Sequence, residues 1–177
     1  MRQYRDVILA YSIMLTLIIL VYVLTSFFIA VPFYLSNYQV TFLNSLFEAI
    51  SGVTGTGFSI FDNIKYLDPT LILWRSSSQW IGGFYFLIFL ILIFSNKQFN
   101  YKMNELSYSG DGSINSENNI KDLLFRIFIL YSVLSFIIFL LLNLSDIRMF
   151  NSLNLSMSLI SAGGFIPTNS LDKIIQS

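Results

Sequence analysis

The sequence contains no cysteine and no histidine among its 177 residues. Their absence excludes a disulfide framework, thiolate chemistry, catalysis by Ser-His-Asp or Cys-His groups, and the usual zinc sites. Charge is also scarce, since 11% of the residues are charged whereas a soluble domain averages about 25%. Ten basic residues balance ten acidic ones, so no net charge favours a nucleic acid as partner. We therefore expect neither an enzyme nor a nucleic-acid-binding protein, and no covalently bound cofactor.

Hydrophobic residues make up 55% of the chain and are concentrated in long uncharged segments. The first, Val7 to Val31, has 25 residues, enough at ~1.5 Å per residue to cross a hydrocarbon core of about 30 Å. A signal peptide is the alternative, but its apolar region is only about 7 to 15 residues long and ends in small residues. Two further spans are predicted, from Thr70 to Phe94 and from near Leu123 to Leu144. The expected fold is an all-α integral membrane protein.

Two other apolar segments, Val40 to Ile50 and Ile147 to Ile160, are too short to cross a bilayer. Lengths of about 10 to 14 residues suit re-entrant segments, which enter the membrane and return to the same side. The stretch from Lys97 to Asp122 is polar and rich in Ser, Asn and Gly, as is typical of a solvated linker. If three spans alternate sides, six of the ten basic residues lie on the side of the amino terminus, which favours an amino terminus inside the cell.

The sequence repeats itself at an offset of 107 residues, which places Asn44-Ser45-Leu46 on Asn151-Ser152-Leu153. The match continues to Gly57-Phe58, which falls on Gly164-Phe165. Each copy contains a span, a short apolar segment and a glycine-containing loop, and a second span follows the first copy. We predict that residues 1–95 are a first span-pore-span repeat, 96–120 a cytoplasmic linker, and 121–177 a second, incomplete repeat with span, pore helix and filter loop only.

The first loop (residues 54–57) and the second loop (residues 161–164) suggest a cation site. Irregular backbone at membrane depth is tolerated only inside protein or beside a watery cavity. Backbone carbonyls there can replace the hydration shell of K⁺, and glycine lets them turn without a side-chain clash. Neither loop contains a carboxylate, which favours a neutral cage for K⁺ over an acidic ring for divalent ions. The predicted K⁺-binding filter residues are Thr54, Gly55, Thr56, Gly57, Ser161, Ala162, Gly163 and Gly164. Two ordinary glycine turns are the alternative.

Four other residues in apolar segments are singled out, of which the two charged ones have two interpretations each. Glu48 either attracts cations or is a pore-helix residue bonded to neighbouring backbone or hydroxyl groups. Arg75 is expected to be an anchor at the membrane boundary or the partner of an extracellular carboxylate, the alternative being a charge that biases cation passage. Gly82 and Gly83 are expected to allow close helix packing.

Three stretches carry a resemblance to a known family. They are residues 47–57 (Phe-Glu-Ala-Ile-Ser-Gly-Val-Thr-Gly-Thr-Gly), residues 73–83 with Leu-Trp-Arg-Ser and Gln-Trp-Ile-Gly-Gly, and residues 161–165 (Ser-Ala-Gly-Gly-Phe). They resemble the TrkH/KtrB superfamily of potassium transporters, in particular the TrkH branch. The resemblance implies a potassium-channel-like fold of repeated units, each a span, a re-entrant pore helix, a filter loop and a span. Gly57 and Gly164 match the family's filter glycines, whereas Gly55 and Ala162 each replace a threonine and so remove a hydroxyl but keep the carbonyl.

The resemblance also implies a function and partners. It indicates potassium uptake across a bacterial cytoplasmic (inner) membrane, with K⁺ as the transported ion and the amino terminus inside. It implies a homodimer when full length and a cytoplasmic nucleotide-binding regulatory subunit. In that family four repeats surround one pathway, so we expect these 177 residues alone not to form a closed pore. The alternative function is a non-conducting or truncated membrane subunit with a role in assembly or regulation.

Overall fold

The computed structural model of the chain describes residues 2–94 and 116–168. This part contains five α-helices and a short 3₁₀ turn, and no strand occurs within it. The helices are α1 (Arg2–Tyr34), α2 (Phe42–Val53), α3 (Pro69–Phe94), α4 (Ser116–Leu144) and α5 (Met149–Ile160), and the turn is Ile64–Tyr66. The predicted all-helical fold is confirmed for these residues.

Two helices are long and apolar enough to cross a membrane within the described residues, at Ser12–Tyr34 in α1 and Lys121–Leu144 in α4. Only 17% and 6% of their most apolar stretches are buried, whereas the core helix of a soluble protein would be mostly buried. Many of their Leu, Ile, Val and Phe side chains are exposed. These two helices therefore suit insertion into a lipid bilayer.

α3 differs from these two helices because its first half contains a polar stretch. It carries Arg75, three serines and Gln79 before an apolar second half. The polar stretch is largely buried, and α3 packs against both α2 and α5. Its 26 residues measure about 39 Å at ~1.5 Å per residue, long enough to cross a bilayer. α3 matches the bounds of the predicted middle span, which stays a prediction.

Two helix bounds differ from the expected ones. α1 continues through Pro32 to Tyr34, because a proline in the last turn interrupts little of the helix that precedes it. α4 begins at Ser116 instead of near Leu123, inside the predicted linker. Serine and glutamate are favoured at helix amino termini, so the polarity of this stretch does not identify it as a loop. The rest of the linker and the residues after 168 lie outside the described part of the chain.

The short helices α2 and α5 confirm that the two short apolar segments are helical. Each has 12 residues. The hydroxyl of Thr41 caps α2 by accepting a hydrogen bond from Asn44 N at 3.3 Å, whereas Arg148 makes no such side-chain bond at α5. A hydrophobic core joins α2 to α1 and α3 and consists of Ile29, Ala30, Phe33, Ala49, Val53 and Leu71. α2 is thereby fixed between the two longer helices.

Candidate cation-binding loops

The two sequence copies share their backbone structure. α2 and α5 begin 107 residues apart, at Phe42 and Met149, and end 107 residues apart. Just beyond each helix a hydroxyl donates to the carbonyl four residues earlier, Thr54 Oγ1 to Ile50 O at 2.7 Å and Ser161 Oγ to Met157 O at 2.9 Å. The helix ends are therefore closed in the same way.

Left-handed backbone also recurs at the same offset. Gly55 (φ +70°) corresponds to Ala162 (φ +53°), and Gln39 (φ +51°) corresponds to Asp146 (φ +61°). Gly55 and Ala162 follow the short helices of their copies, and Gln39 and Asp146 precede them. A left-handed residue after a helix is a common way to end it, and it turns the chain sharply. Each copy thus enters and leaves its short helix by the same turns.

The N–H groups of both loops point back at the short helices. Gly55 N donates to Gly52 O at 3.0 Å, and the corresponding Ala162 N donates to Leu159 O at 3.1 Å. In the next pair, Thr56 N donates to Ser51 O at 3.1 Å and Gly163 N donates to Ser158 O at 2.8 Å. In a trans peptide the preceding carbonyl points opposite to the N–H. The carbonyls of the four preceding residues are therefore directed away from α2 and α5; these residues are Thr54, Gly55, Ser161 and Ala162.

The loops lie against each other, with backbone in contact with backbone. A Cβ placed on Gly57, whose φ is +75°, would lie 2.5 Å from Gly164 Cα. A Cβ placed on Gly55 would lie 3.7 Å from Ser161 O, and one on Gly164 would lie 3.6 Å from Thr56 O. The two glycines that the repeat matches are thus neighbours in space, and carbonyl oxygens of each loop lie beside the other loop.

The ligands that the loops offer are backbone oxygens. The described residues hold no group of three or more His, Cys, Asp or Glu side chains placed to bind a metal ion. Three of the predicted residues add hydroxyls, but Thr54 Oγ1, Thr56 Oγ1 and Ser161 Oγ all donate to carbonyls of their own helices. The structure thus brings together the two loops that contain the eight predicted residues, without showing that they bind an ion.

Glu48 and Arg75 form a buried ion pair behind the first loop. Arg75 Nε donates to Glu48 Oε1 at 2.7 Å, and the two side chains are 1% and 0% exposed. Glu48 also accepts from Ser59 Oγ at 3.0 Å and from Ile60 N at 2.8 Å. The expectation that Arg75 anchors the helix at a membrane boundary is wrong, because α2 and the segment after the first loop enclose its guanidinium. Glu48 is the carboxylate with which it pairs.

Gln79, one helical turn after Arg75, supports the second loop. Its Oε1 accepts from Ser158 Oγ at 2.5 Å and from Phe165 N at 3.2 Å. Ser158 Oγ also lies 2.6 Å from Phe165 O. Because a hydroxyl has one proton, Gln79 Oε1 and Phe165 O share the Ser158 donor, and the bond from Phe165 N to Gln79 Oε1 ties the segment after the second loop to α3. Sequence analysis missed this role for Gln79 and Ser158, although an amide in an apolar segment requires a hydrogen-bond partner.

The two adjacent glycines of α3 allow close approach to both copies, which confirms their predicted role in packing. A Cβ on Gly82 would collide with the backbone of Val53, the last residue of α2. A Cβ on Gly83 would lie 2.6 Å from Ser161 Cβ and 2.7 Å from the hydroxyl of Tyr131. Gly82 therefore faces the first copy and Gly83 the second.

Comparison with known proteins identifies the family. Residues 5–173 match the family TrkH, described as cation transport protein. An uncharacterized cation transporter of Methanocaldococcus jannaschii is 31% identical over 164 residues, which cover 88% of this chain and 34% of that protein. No solved structure gives a significant match.

Two potassium uptake proteins match over shorter stretches. The Trk system potassium uptake protein TrkI of Halomonas elongata is 39% identical over 70 residues, 40% of this chain and 14% of that protein. The Trk system potassium uptake protein TrkG of Escherichia coli is 34% identical over 68 residues, 38% of this chain and 14% of that protein. The matches thus cover about a third of the first relative's length and about a seventh of the other two. Since the family match extends over nearly the whole sequence, this chain belongs to the TrkH family of cation transport proteins.

Proposed function

We propose that the chain contributes a K⁺ pathway through the cytoplasmic membrane, with a selectivity filter made of backbone carbonyls from the two loops. The contact between Gly57 and Gly164 is the observation that carries this proposal. Two loops with matching backbone turns lie against each other, and their N–H groups are directed toward the helices behind them. The names of the two Trk relatives support K⁺ as the transported ion.

The chemistry of the loops suits a monovalent cation. Carbonyl oxygens can replace the water around K⁺ without adding net negative charge. The nearby carboxylate of Glu48 is bonded to Arg75, so it adds no uncompensated charge beside the loops. In the proposal the filter residues are the eight predicted ones, and further loops, from the same chain or from a second copy, complete the cage.

The remaining assignments follow the family resemblance. We infer repeated units at residues 1–95 and 121–177, each with a re-entrant pore helix, joined by a cytoplasmic linker at 96–120. The amino terminus lies inside, the complete transporter is a homodimer, and a cytoplasmic nucleotide-binding subunit regulates it. An impermeant thiol reagent checks the orientation, because the chain has no native cysteine. Cysteine in place of the exposed Tyr66 reacts in intact cells and cysteine in place of Lys121 does not; the reverse result rejects the orientation.

The filter assignment is tested with serine at the two matched glycines. Gly57→Ser and Gly164→Ser place a side chain between the loops, so we expect K⁺ uptake, compared at matched membrane abundance, to lose its preference over Na⁺. Gly82→Ser and Gly83→Ser are the controls, because these glycines pack against the end of α2 and against the second loop. Both substitutions are expected to lower the abundance of the protein. The measurement is K⁺ and Na⁺ uptake by the complete transporter at matched membrane abundance. Unchanged ion preference in both filter variants would reduce the loops to ordinary turns.

Cation flux in liposomes separates conduction from the alternative function. The purified complete transporter is expected to carry K⁺ faster than Na⁺. Folded protein that carries neither ion would favour a non-conducting membrane subunit. Equal K⁺ and Na⁺ fluxes would keep cation transport but reject the selective filter.

A further inference from the structure

Arg75 contacts the segments that follow both loops. On the first side its Nη2 donates to Ser59 Oγ at 2.9 Å, in addition to its ion pair with Glu48. On the second side its guanidinium carbon lies 4.2 Å from the centre of the Phe165 ring. We propose that Arg75 is a positioning residue that sets the spacing between the two loops and thereby the K⁺ over Na⁺ preference. This inference rests on the function proposed above.

The first side of the network has a fixed geometry. Glu48 Oε2 accepts from Ile60 N at 2.8 Å, so the carboxylate binds backbone only three residues after Gly57. Ser59 Oγ lies within hydrogen-bond distance of both Glu48 and Arg75. Charge-assisted hydrogen bonds among buried groups are short and strong, and they favour one arrangement over many. Arg75 and Glu48 together thus fix the backbone just after the first loop.

The second side is an aromatic contact in a buried setting. Phe165 is 2% exposed and directly follows Gly164. A guanidinium over an aromatic face is attracted by the negative face of the ring, more strongly when water is excluded. Arg75 Nη1 has no hydrogen-bond partner among the described residues, so the ring is the contact that the guanidinium makes toward the second copy. A shift of Phe165 would move Gly164, and Gly164 lies against Gly57.

The chemistry of arginine explains why this residue can join the two sides. Its planar guanidinium can donate from its edge to Glu48 and Ser59 while its face lies on a ring. Lysine has the same charge but only a compact ammonium group, which cannot make the edge and face contacts together. Arg75→Lys therefore keeps the positive charge and removes the link between the two sides.

The first test uses Arg75→Lys and a charge-neutral double variant, Glu48→Gln with Arg75→Met. The double variant avoids leaving one buried charge without its partner. Both are expressed in the complete transporter, and uptake of K⁺ and Na⁺ is measured at matched membrane abundance. The expected result is a fall in the K⁺ to Na⁺ ratio of about tenfold, which corresponds to a barrier difference of about 1.4 kcal/mol.

The second test uses the repeat as its own control. Phe165→Leu removes the ring beneath Arg75 and keeps most of the hydrophobic volume. Phe58 is the corresponding residue of the first copy, and it is 70% exposed. We expect Phe165→Leu to lower the K⁺ to Na⁺ ratio in the same direction as Arg75→Lys, and Phe58→Leu to leave it at the wild-type value. If the Arg75 variants do not accumulate in the membrane, this pair carries the test, because neither substitution changes a charge.

The outcomes separate this inference from the proposed function. A wild-type ratio in Arg75→Lys and Phe165→Leu, together with a changed ratio in Gly57→Ser, would overturn the positioning role and leave the filter in place. Equal effects of Phe165→Leu and Phe58→Leu would also overturn it, since Arg75 contacts the ring of Phe165. A wild-type ratio in Gly57→Ser as well would reject the filter itself.

Discussion

The two copies of the repeat have the same backbone turns but different side-chain support. Behind the first loop Glu48 accepts hydrogen bonds from the segment that follows the loop, whereas the corresponding residue of the second copy is Leu155. Behind the second loop the amide oxygen of Gln79 accepts from Phe165 N instead, and the hydroxyl of Ser158 is shared between Gln79 Oε1 and Phe165 O. Phe165 is 2% exposed and its counterpart Phe58 is 70% exposed. Similar loop backbones thus do not require the same anchoring side chains.

The difference arises from the position of α3 between the copies. One face of α3 presents Arg75 and Gly82 to the first copy, and Gln79 and Gly83 serve the second. Within the described residues α3 is the helix that packs against both short helices, so its side chains are divided between the two copies. A shared helix that supports two similar loops with different residues provides a physical origin for asymmetry between the loops of the proposed filter.

The largest effect is expected when Glu48 is replaced by leucine, the residue that the second copy has at the corresponding position, Leu155. Glu48→Leu leaves Arg75 buried without a carboxylate, and loss of one partner of a buried pair costs about 3–5 kcal/mol. The free energy of unfolding in detergent and the membrane abundance measure this. Adding Arg75→Met to Glu48→Leu is expected to recover most of the loss. A cost below about 1 kcal/mol for the single variant would show that the pair is not fixed in the native protein.

A smaller effect is expected at the adjacent glycines of α3, where alanine adds one methyl group toward each copy. Overpacking costs about 1–3 kcal/mol. Gly82→Ala should exceed Gly83→Ala, because a Cβ on Gly82 would overlap the backbone of Val53 more deeply than a Cβ on Gly83 would overlap Ser161 and the Tyr131 hydroxyl. Thermal unfolding of the two variants at equal detergent concentration provides the comparison. The opposite order would mean that α3 packs more tightly on the second copy.

The smallest effect is expected when Gly55 and Ala162, the left-handed residues after the two short helices, are each replaced by the residue of the other copy. Ala162 already holds a left-handed conformation, so the structure of the second copy indicates that alanine is accepted there. Gly55→Ala is expected to cost about 1 kcal/mol from the same conformation. Ala162→Gly should change stability by less than about 1 kcal/mol, because relief of strain is offset by a more flexible unfolded chain. A loss above about 3 kcal/mol in Gly55→Ala would show that the two turns are not equivalent.

Sequence reasoning works best here where the signal is local. The lengths of the apolar segments identify α1 and α4 as membrane-spanning candidates and α2 and α5 as short helices. The 107-residue offset matches Gly57 with Gly164, which lie in contact. A repeat places related residues in related surroundings, so it carries information about structure that composition does not.

The side-chain network is less visible in the sequence because its contacts are distant along the chain. Arg75 and Glu48 are 27 residues apart, and Gln79 and Phe165 are 86 apart. Charge position alone suggested a boundary anchor for Arg75, although two opposite charges in apolar segments also suggest a buried pair. For Gln79 no local pattern indicates which loop it contacts. The proposed ion site depends on carbonyl geometry contributed by further loops, which the two described loops only partly define.

The central claim is that both loops bind the same K⁺ ion, and its most direct test is the melting temperature of the complete transporter in K⁺ and in Na⁺. A ligand that binds the folded state at about 100 times its Kd stabilises it by about 2.7 kcal/mol. We predict a higher melting temperature in K⁺ than in Na⁺ for the wild type, and loss of that difference in both Gly57→Ser and Gly164→Ser. A K⁺-specific increase that survives in either variant would contradict a site shared by the two loops.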